Sequence, residues 1–366
     1  MNALYVEAVQ SQSNWQAVFA FQVFLRPIDE WVKMKWGFNS GALLDEALDR
    51  FKLFLESQVT SDEFQSEDEQ SNRTLALRCI NLPGEGLQFA VLGKAADSER
   101  ERALSAGRDY AREIFSTFPH DFILKPAETK ADFDRLAGNH LFAKKARLAG
   151  IQRENAFIPP MLRYQYMTGL WQSSPRAYEQ VWRALSGAQP GSALNITLRP
   201  STLYQNEKEL LLDVRKKLSK PRQDEDIFAP HIAWVNDCIK RRLAPWKKFF
   251  QMQIHILAED APDDNLLRSI GSAFTRSTNE LPNPGFQIVR PASANEEETW
   301  RETIRRLDFT PTPRRMDDVA DVDEVHAVFR LPYRQEAGLP GLSLIELPKA
   351  SSPPVEQKEN LRHEVK

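Results

Sequence analysis

The sequence predicts an α+β protein: two related β-sheet-plus-helix units followed by a C-terminal extended segment. Three observations carry this reading. Between Leu75 and Leu124, two apolar runs flank the turn residues Pro83-Gly84-Glu85-Gly86; a helical apolar stripe follows, and then a short apolar run. From Phe250 to Val289 a strand, a helix and a strand recur in the same order. Composition is that of an ordinary globular chain, with 42% hydrophobic and 27% charged residues. No apolar run approaches the about 20 residues that cross a bilayer, so no membrane span is expected. At 366 residues the chain has room for two domains. We place them at 1–155 and 156–348, with a flexible polar tail at 349–366.

In chain order, Trp15–Arg26 alternates Phe19, Phe21, Val23 and Leu25 with smaller or polar residues and reads as a strand that Pro27 ends. Leu43, Leu44, Ala47, Phe51 and Phe54 share one side of a helix over Gly41–Glu56. Residues 60–72 carry Asp62, Glu63, Glu67, Asp68 and Glu69 among Ser and Gln and read as a solvated acidic loop. Leu75–Leu82 and Leu87–Leu92 form the hairpin. Ser98, with Glu101 three residues on, has capping-box spacing. Ala103, Leu104, Gly107, Tyr110, Ala111, Ile114, Phe115 and Phe118 then mark a buried helix face, Pro119 stops the helix, and Phe122–Leu124 returns as a strand. Lys130–Arg153, with Lys144, Lys145, Arg147 and Arg153, reads as a basic helical connector. Ala156-Phe157-Ile158-Pro159-Pro160 punctuates the chain at the domain boundary.

In the second unit Ser174-Pro175 opens a helix that ends at Gly187. Leu194–Leu198 alternates as a strand, and Pro200-Ser201-Thr202 caps a helix running to Leu218. Phe250, Met252, Ile254 and Ile256 alternate with Gln251, Gln253 and His255, the pattern of a half-buried strand. Asp263-Asp264 starts a helix with Leu266, Leu267, Ile270, Ala273 and Phe274 inward. Phe286–Val289 is the returning strand, Glu296–Leu307 a short helix, Val325–Leu331 a strand, and Gly338–Leu347 a turn and extended segment.

Chemistry-bearing motifs are missing from the sequence. The Gly93-Lys94 pair has Gln88 where a phosphate loop needs its first glycine, and Ala95 where it needs Ser or Thr. Gly84-Glu85-Gly86 is turn chemistry. His120, His140, His231, His255, His326 and His363 are scattered without metal-ligand spacing. We therefore expect no cofactor, no metal and no catalytic residue. With 48 Lys and Arg against 51 Asp and Glu, the formal charge of −3 gives no global reason to expect nucleic acid or an anionic membrane. Cys79 and Cys238 sit in apolar segments as small core residues, and with no signal-peptide pattern at the start the expected location is cytoplasmic.

Two surfaces are candidates for binding. Aromatic residues crowd the block from Tyr164 to Trp182, and Trp171, Tyr178 and Trp182 are the candidate contacts for a protein partner or a homo-oligomer. From Asp213 to Lys248 there are ten basic residues against five acidic ones, with Trp234 and Trp246 interleaved. Lys240, Arg241, Arg242, Trp246, Lys247 and Lys248 could grip a phosphate backbone. The favoured reading is pairing with the acidic stretch 259–330.

The string Arg108-x-Tyr110-Ala111-Arg112-Glu113-Ile114-x-x-Thr117-Phe118-Pro119-x-Asp121-Phe122-x-Leu124 resembles the N-terminal accessory region of HerA/FtsK-type DNA-pumping ATPases, including conjugative type IV secretion ATPases. Leu194–Pro200 and the Thr202 helix are similar to its second strand–helix unit. Ile270–Thr275 and Asp323–Pro332, ending at Gly338-Leu339-Pro340-Gly341, are similar to the segment before the motor. The resemblance spans about residues 75–345. It implies a ring-assembling region beside a RecA-like motor whose phosphate loop, acid and arginine finger have no counterpart here. The expected function is a non-catalytic assembly or adaptor protein docking to a separate ring ATPase or effector, in DNA transfer or phage defence. A nucleic-acid-binding module using the 213–248 patch and an enzyme with a dispersed site stand as alternatives.

Overall fold

A computed structural model of the chain describes residues 4–11, 14–26, 40–59, 71–156, 167–219, 225–277, 283–333, 339 and 341–348. Most of the expected acidic loop (60–70) and the expected tail lie outside the described residues. The first half runs β1 (Val6–Gln10), β2 (Trp15–Leu25), α1 (Ser40–Ser57), β3 (Arg73–Leu82), β4 (Gly86–Asp97), α2 (Arg100–Thr117), β5 (Phe122–Pro126), α3 (Lys130–Leu136), α4 (Asn139–Ala143) and β6 (Arg147–Arg153). A two-stranded ribbon, β7 (Asn155–Ala156) and β8 (Met167–Thr168), leads to α5 (Pro175–Ser186), β9 (Ala193–Ser201), α6 (Gln205–Leu218) and α7 (Glu225–Arg242). Then come β10 (Phe249–Ala258), α8 (Asp264–Phe274), β11 (Phe286–Val289), α9 (Ala294–Arg305), β12 (Val319–Asp321) and α10 (Val322–Val328).

The α+β class is as expected. Ten strands form one antiparallel sheet in the order β1-β2-β4-β3-β9-β10-β6-β11, with β5 beside β2 and β12 beside β10. The β3–β4 hairpin sits near its middle, and β3 pairs β9 with Leu77 opposite Ile196. Strands from both expected units thus lie in one sheet, and β6 crosses over to lie between β10 and β11.

Strand periodicity gives the sheet two unlike faces. Phe19, Phe21, Leu77, Cys79, Val91, Ile196, Leu198, Met252 and Ile254 share one face and form the main apolar core with residues of α1, α2, α5, α8 and α10. The opposite face, under α3, α4, α9 and residues 306–318, mixes small apolar residues with buried polar ones. A row across it reads Gln22, Ala90, Arg78, Asn195, His255 and Gly150. Among the described residues Arg78 has no carboxylate partner there. It donates to Asn195 Oδ1 at 2.9 Å, to the Ile304 carbonyl at 3.1 Å and to the Ala137 carbonyl. Those two carbonyls close α9 and α3, so the negative ends of two helices stand in for a counterion. Burial pulls the Arg78 guanidinium down to about 9.

Several local expectations change. Glu99, not Ser98, is the N-cap of α2, and its side chain makes no cap bond. Lys130–Arg153 is not one helical connector but two short helices and strand β6, whose small residues Ala149 and Gly150 mute its alternation and which is held by neighbours on both sides. Pro200 and Ser201 continue β9 opposite Phe250 and Phe249, and α6 starts only after Tyr204. Val325–Val328 is helix rather than strand. Asp321 and Glu324 form a reciprocal capping box that overrides the β-branched run. The polar side of β10 is not solvated either, since Gln253 and His255 are 6% and 3% exposed beneath α9 and the 309–318 segment.

Candidate functional site

The densest charged cluster gathers at the start of α10. Glu324 and Arg153 have fully buried side chains, and Arg153 Nη1 lies 2.6 Å from Glu324 Oε1. The other arm of Arg153 donates to the Asp317 and Val319 carbonyls at 2.6 and 2.8 Å. Arg242, also buried, reaches Glu324 Oε2 at 3.2 Å and the Val319 carbonyl at 3.0 Å. Outside this pair lies a second tier. Arg241 grips Asp321 in a two-pronged contact of 2.6 and 2.7 Å. Lys247 bridges Asp321 and Asp323 at 3.4 and 3.0 Å, and Lys52 reaches Asp323 from α1 at 2.6 Å. Burial opposes ionisation of Asp321, yet Arg241 and Lys247 hold its carboxyl well below the usual range.

A second polar cluster lies beside it, where β10 passes from β6 to β12. Its backbone joins Asp318 there, with the Met252 amide donating to the Asp318 carbonyl at 2.8 Å. A cavity of about 10 Å³ is lined by Gln253, His255, Trp300, Thr310, Asp317 and Asp318 among others, a volume that admits one water. Gln253 donates to Asp318 Oδ2 and to the Thr310 carbonyl, both at 2.8 Å, and accepts from the Thr310 amide at 2.8 Å. Thr312 donates to Asp318 Oδ2 at 3.0 Å. Asp317 Oδ1, His255 Nδ1 and Arg153 Nε are buried without a hydrogen-bond partner among the described residues. Burial raises Asp318 to about 7 and Asp317 to about 6, and burial with the nearby Arg78 charge lowers His255 to about 3. Two acids that titrate near neutrality can hold or release a proton here. Among the described residues no group of three or more His, Cys, Asp or Glu is placed to hold a metal ion.

Comparison with protein-family models and with curated proteins finds no match.

The aromatics expected at an interface are core residues: Trp171, Tyr178 and Trp182 are 4%, 3% and 1% exposed. Tyr178 stacks edge-on to Trp182 at 5.2 Å, Trp182 meets Phe89 at 4.9 Å, and Trp171 meets Phe274 at 6.4 Å. The α5 and α8 helices bring them together inside the main core, so they offer no docking surface.

The basic stretch divides. Arg242 is buried on Glu324, and Arg241 and Lys247 face Asp321, so neither forms part of an open cationic track. Lys240 pairs with Asp237 at 3.2 Å, and Lys248 donates to the Glu56 carbonyl at 2.6 Å. Trp246 alone stands out, 96% exposed with a left-handed φ of 56°. Sequence reasoning missed Asp317, Asp318, Thr310 and Glu324. Their one local signal is the acidic pairing within Asp317-Asp318 and Asp321–Glu324, which reads as solvated surface until the sheet is closed over it.

No helix among the described residues is long and apolar enough to cross a membrane.

Proposed function

We propose that this chain is a non-catalytic assembly or adaptor protein, akin to the accessory region of HerA/FtsK-type ring ATPases, that docks to a separate motor or effector in DNA transfer or phage defence. The observation that carries the reading is Trp246. A non-glycine residue in the left-handed region costs about 1–2 kcal/mol, and an indole left 96% in water gains nothing from burial. The fold uses neither feature, because Asn or Gly would make the same turn. Exposed tryptophans of this kind dominate protein interfaces. Its chain neighbour Lys247, together with Arg241 and Lys52, is already matched by Asp321 and Asp323. Cations matched in this way suit a protein partner better than a phosphate backbone, whose attraction scales with the number of free cations.

The test is complex formation with a Walker-containing ring ATPase from the same genome, measured by calorimetry for the wild type and Trp246→Asn. Asparagine tolerates the left-handed backbone, so the fold is preserved. The variant is expected to bind at least about tenfold more weakly, the usual loss at an interface tryptophan. The chain alone is expected neither to bind nor to turn over ATP. Saturable ATP binding by the chain alone, or unchanged association of the variant, would reject the proposal.

A further inference from the structure

The rung of β4 that β2 does not reach is filled by the chain itself. β2 pairs β4 from Trp15 opposite Asp97 to Val23 opposite Phe89, and no further, while Phe24 and Leu25 stay with β5. On the same edge the next outward-facing rung of β4 is Leu87. Its amide donates to the Ser343 carbonyl at 2.9 Å, and its carbonyl accepts from the Ile345 amide at 3.1 Å, a parallel bridge centred on Leu344. The docked segment has strand alternation. Leu342 and Leu344 pack on the main core, and Ile345 packs on the opposite cluster around Ile80 and Leu82. Gly86 admits it: a Cβ there would lie 2.6–2.9 Å from Ser343 atoms, backbone included.

The fit of the segment is loose for a sheet member. Among the described residues two backbone bonds join it to β4, against the continuous ladders of β3–β4 and β9–β10. Between it and Val23, Phe89, Phe122 and Leu331 remains a cavity of about 30 Å³, and Leu347 beyond it is 39% exposed. We infer that the edge of β4 at Leu87 is a strand-docking slot for a short extended segment with aliphatic residues at alternate positions. Residues 342–345 are its resident occupant, released without unfolding the sheet. Backbone bonds supply the affinity and the alternate pockets the selectivity, as in strand addition generally. An edge rung of this kind, once the resident segment leaves it, is what strand addition uses.

Hydrogen exchange on the full chain and a synthetic peptide of residues 341–348 test this together. In the wild type, the Leu87 and Ile345 amides are expected to exchange at least about 100-fold faster than that of Val91, which opens only with the sheet. The peptide is expected to leave the wild type unbound, because the tethered copy acts at millimolar effective concentration. It is expected to bind saturably to Leu344→Asp and to restore protection at Leu87. Ile345→Pro, which deletes one of the two backbone bonds, serves as the second opened variant. Exchange of Leu87 at the rate of Val91 would overturn the inference, as would folded variants that ignore the peptide. Failure of both variants to fold would make the segment part of the core and overturn it too.

Discussion

Replacing Glu324 with Gln is expected to destabilise the folded chain by about 3–5 kcal/mol, the loss typical when one partner of a buried ion pair is removed. Glutamine keeps the volume and one acceptor oxygen, so the change isolates charge from packing. Arg153 and Arg242, with side chains 0% and 2% exposed, would then lose the one carboxylate they both pair with among the described residues. Burial already pulls the Arg153 guanidinium below its ordinary value, and Glu324 is the chief opposing influence. The capping box of α10 would weaken as well, since the Asp321 amide donates to Glu324 Oε2 at 3.1 Å. Asp323→Asn is the matched control: its side chain is 43% exposed and, among the described residues, pairs with Lys52, Lys247 and the edge of Arg241, so about 0–1 kcal/mol is expected. Urea unfolding of both variants reads the difference directly. A loss below 1 kcal/mol for Glu324→Gln would mean that the two arginines draw their compensation from backbone carbonyls instead.

What the sequence made legible follows from which forces are local. The hairpin, α2, α5, α8 and β10 show strong periodicity or a cap within a few residues, and they form where the pattern puts them. β6 and α10 do not. Gly150 and Ala149 give β6 little alternation of its own, and its strand state depends on β10 and β11, which lie about 100 residues or more downstream. The valines of 319–328 favour a strand by propensity, and a capping box made by Asp321 and Glu324 decides otherwise. The charge patterns were legible as pairs of opposites but not as depth: Arg241 and Arg242 look alike in sequence, and one is half-covered while the other is buried. Aromatic density misled for the same reason, because Trp171 and Trp182 fill the space between α5, α8 and the sheet. Trp246, one of two tryptophans in the basic stretch, is visible in the sequence as a candidate, and its backbone and exposure separate it from the core aromatics.

Asp318→Asn is expected to give a rising slope to a stability that is otherwise nearly flat with pH between about 4 and 6. In the folded chain burial raises the Asp318 carboxyl to about 7, against 3.8 for an unperturbed Asp. The folded state therefore keeps a proton that the unfolded chain has lost, and the stability this contributes is complete below about 4 and gone by about 7. A shift of about three pKa units corresponds to roughly 4 kcal/mol across that window. His255 works in the opposite sense. Burial lowers it from 6.5 to about 3, so the unfolded chain takes up a proton that the folded chain refuses, and stability is lost as pH falls from about 6.5 to 3. Asp317, raised to about 6, adds to the first trend, and His326, lowered to about 4 by burial, adds to the second. Where the windows overlap, the wild type should be nearly flat on account of these four groups. Asparagine at 318 can still accept from Gln253 and Thr312, which donate to Oδ2 at 2.8 and 3.0 Å, so the packing is kept while the titration is deleted. The variant should then gain about 1.4 kcal/mol per pH unit as pH rises through the overlap, and His255→Gln should lose a similar amount. Denaturant midpoints measured at half-unit intervals from pH 4 to 7 supply both slopes. Parallel curves for the wild type and Asp318→Asn would show that water reaches the Asp318 carboxyl and that it titrates like an exposed acid.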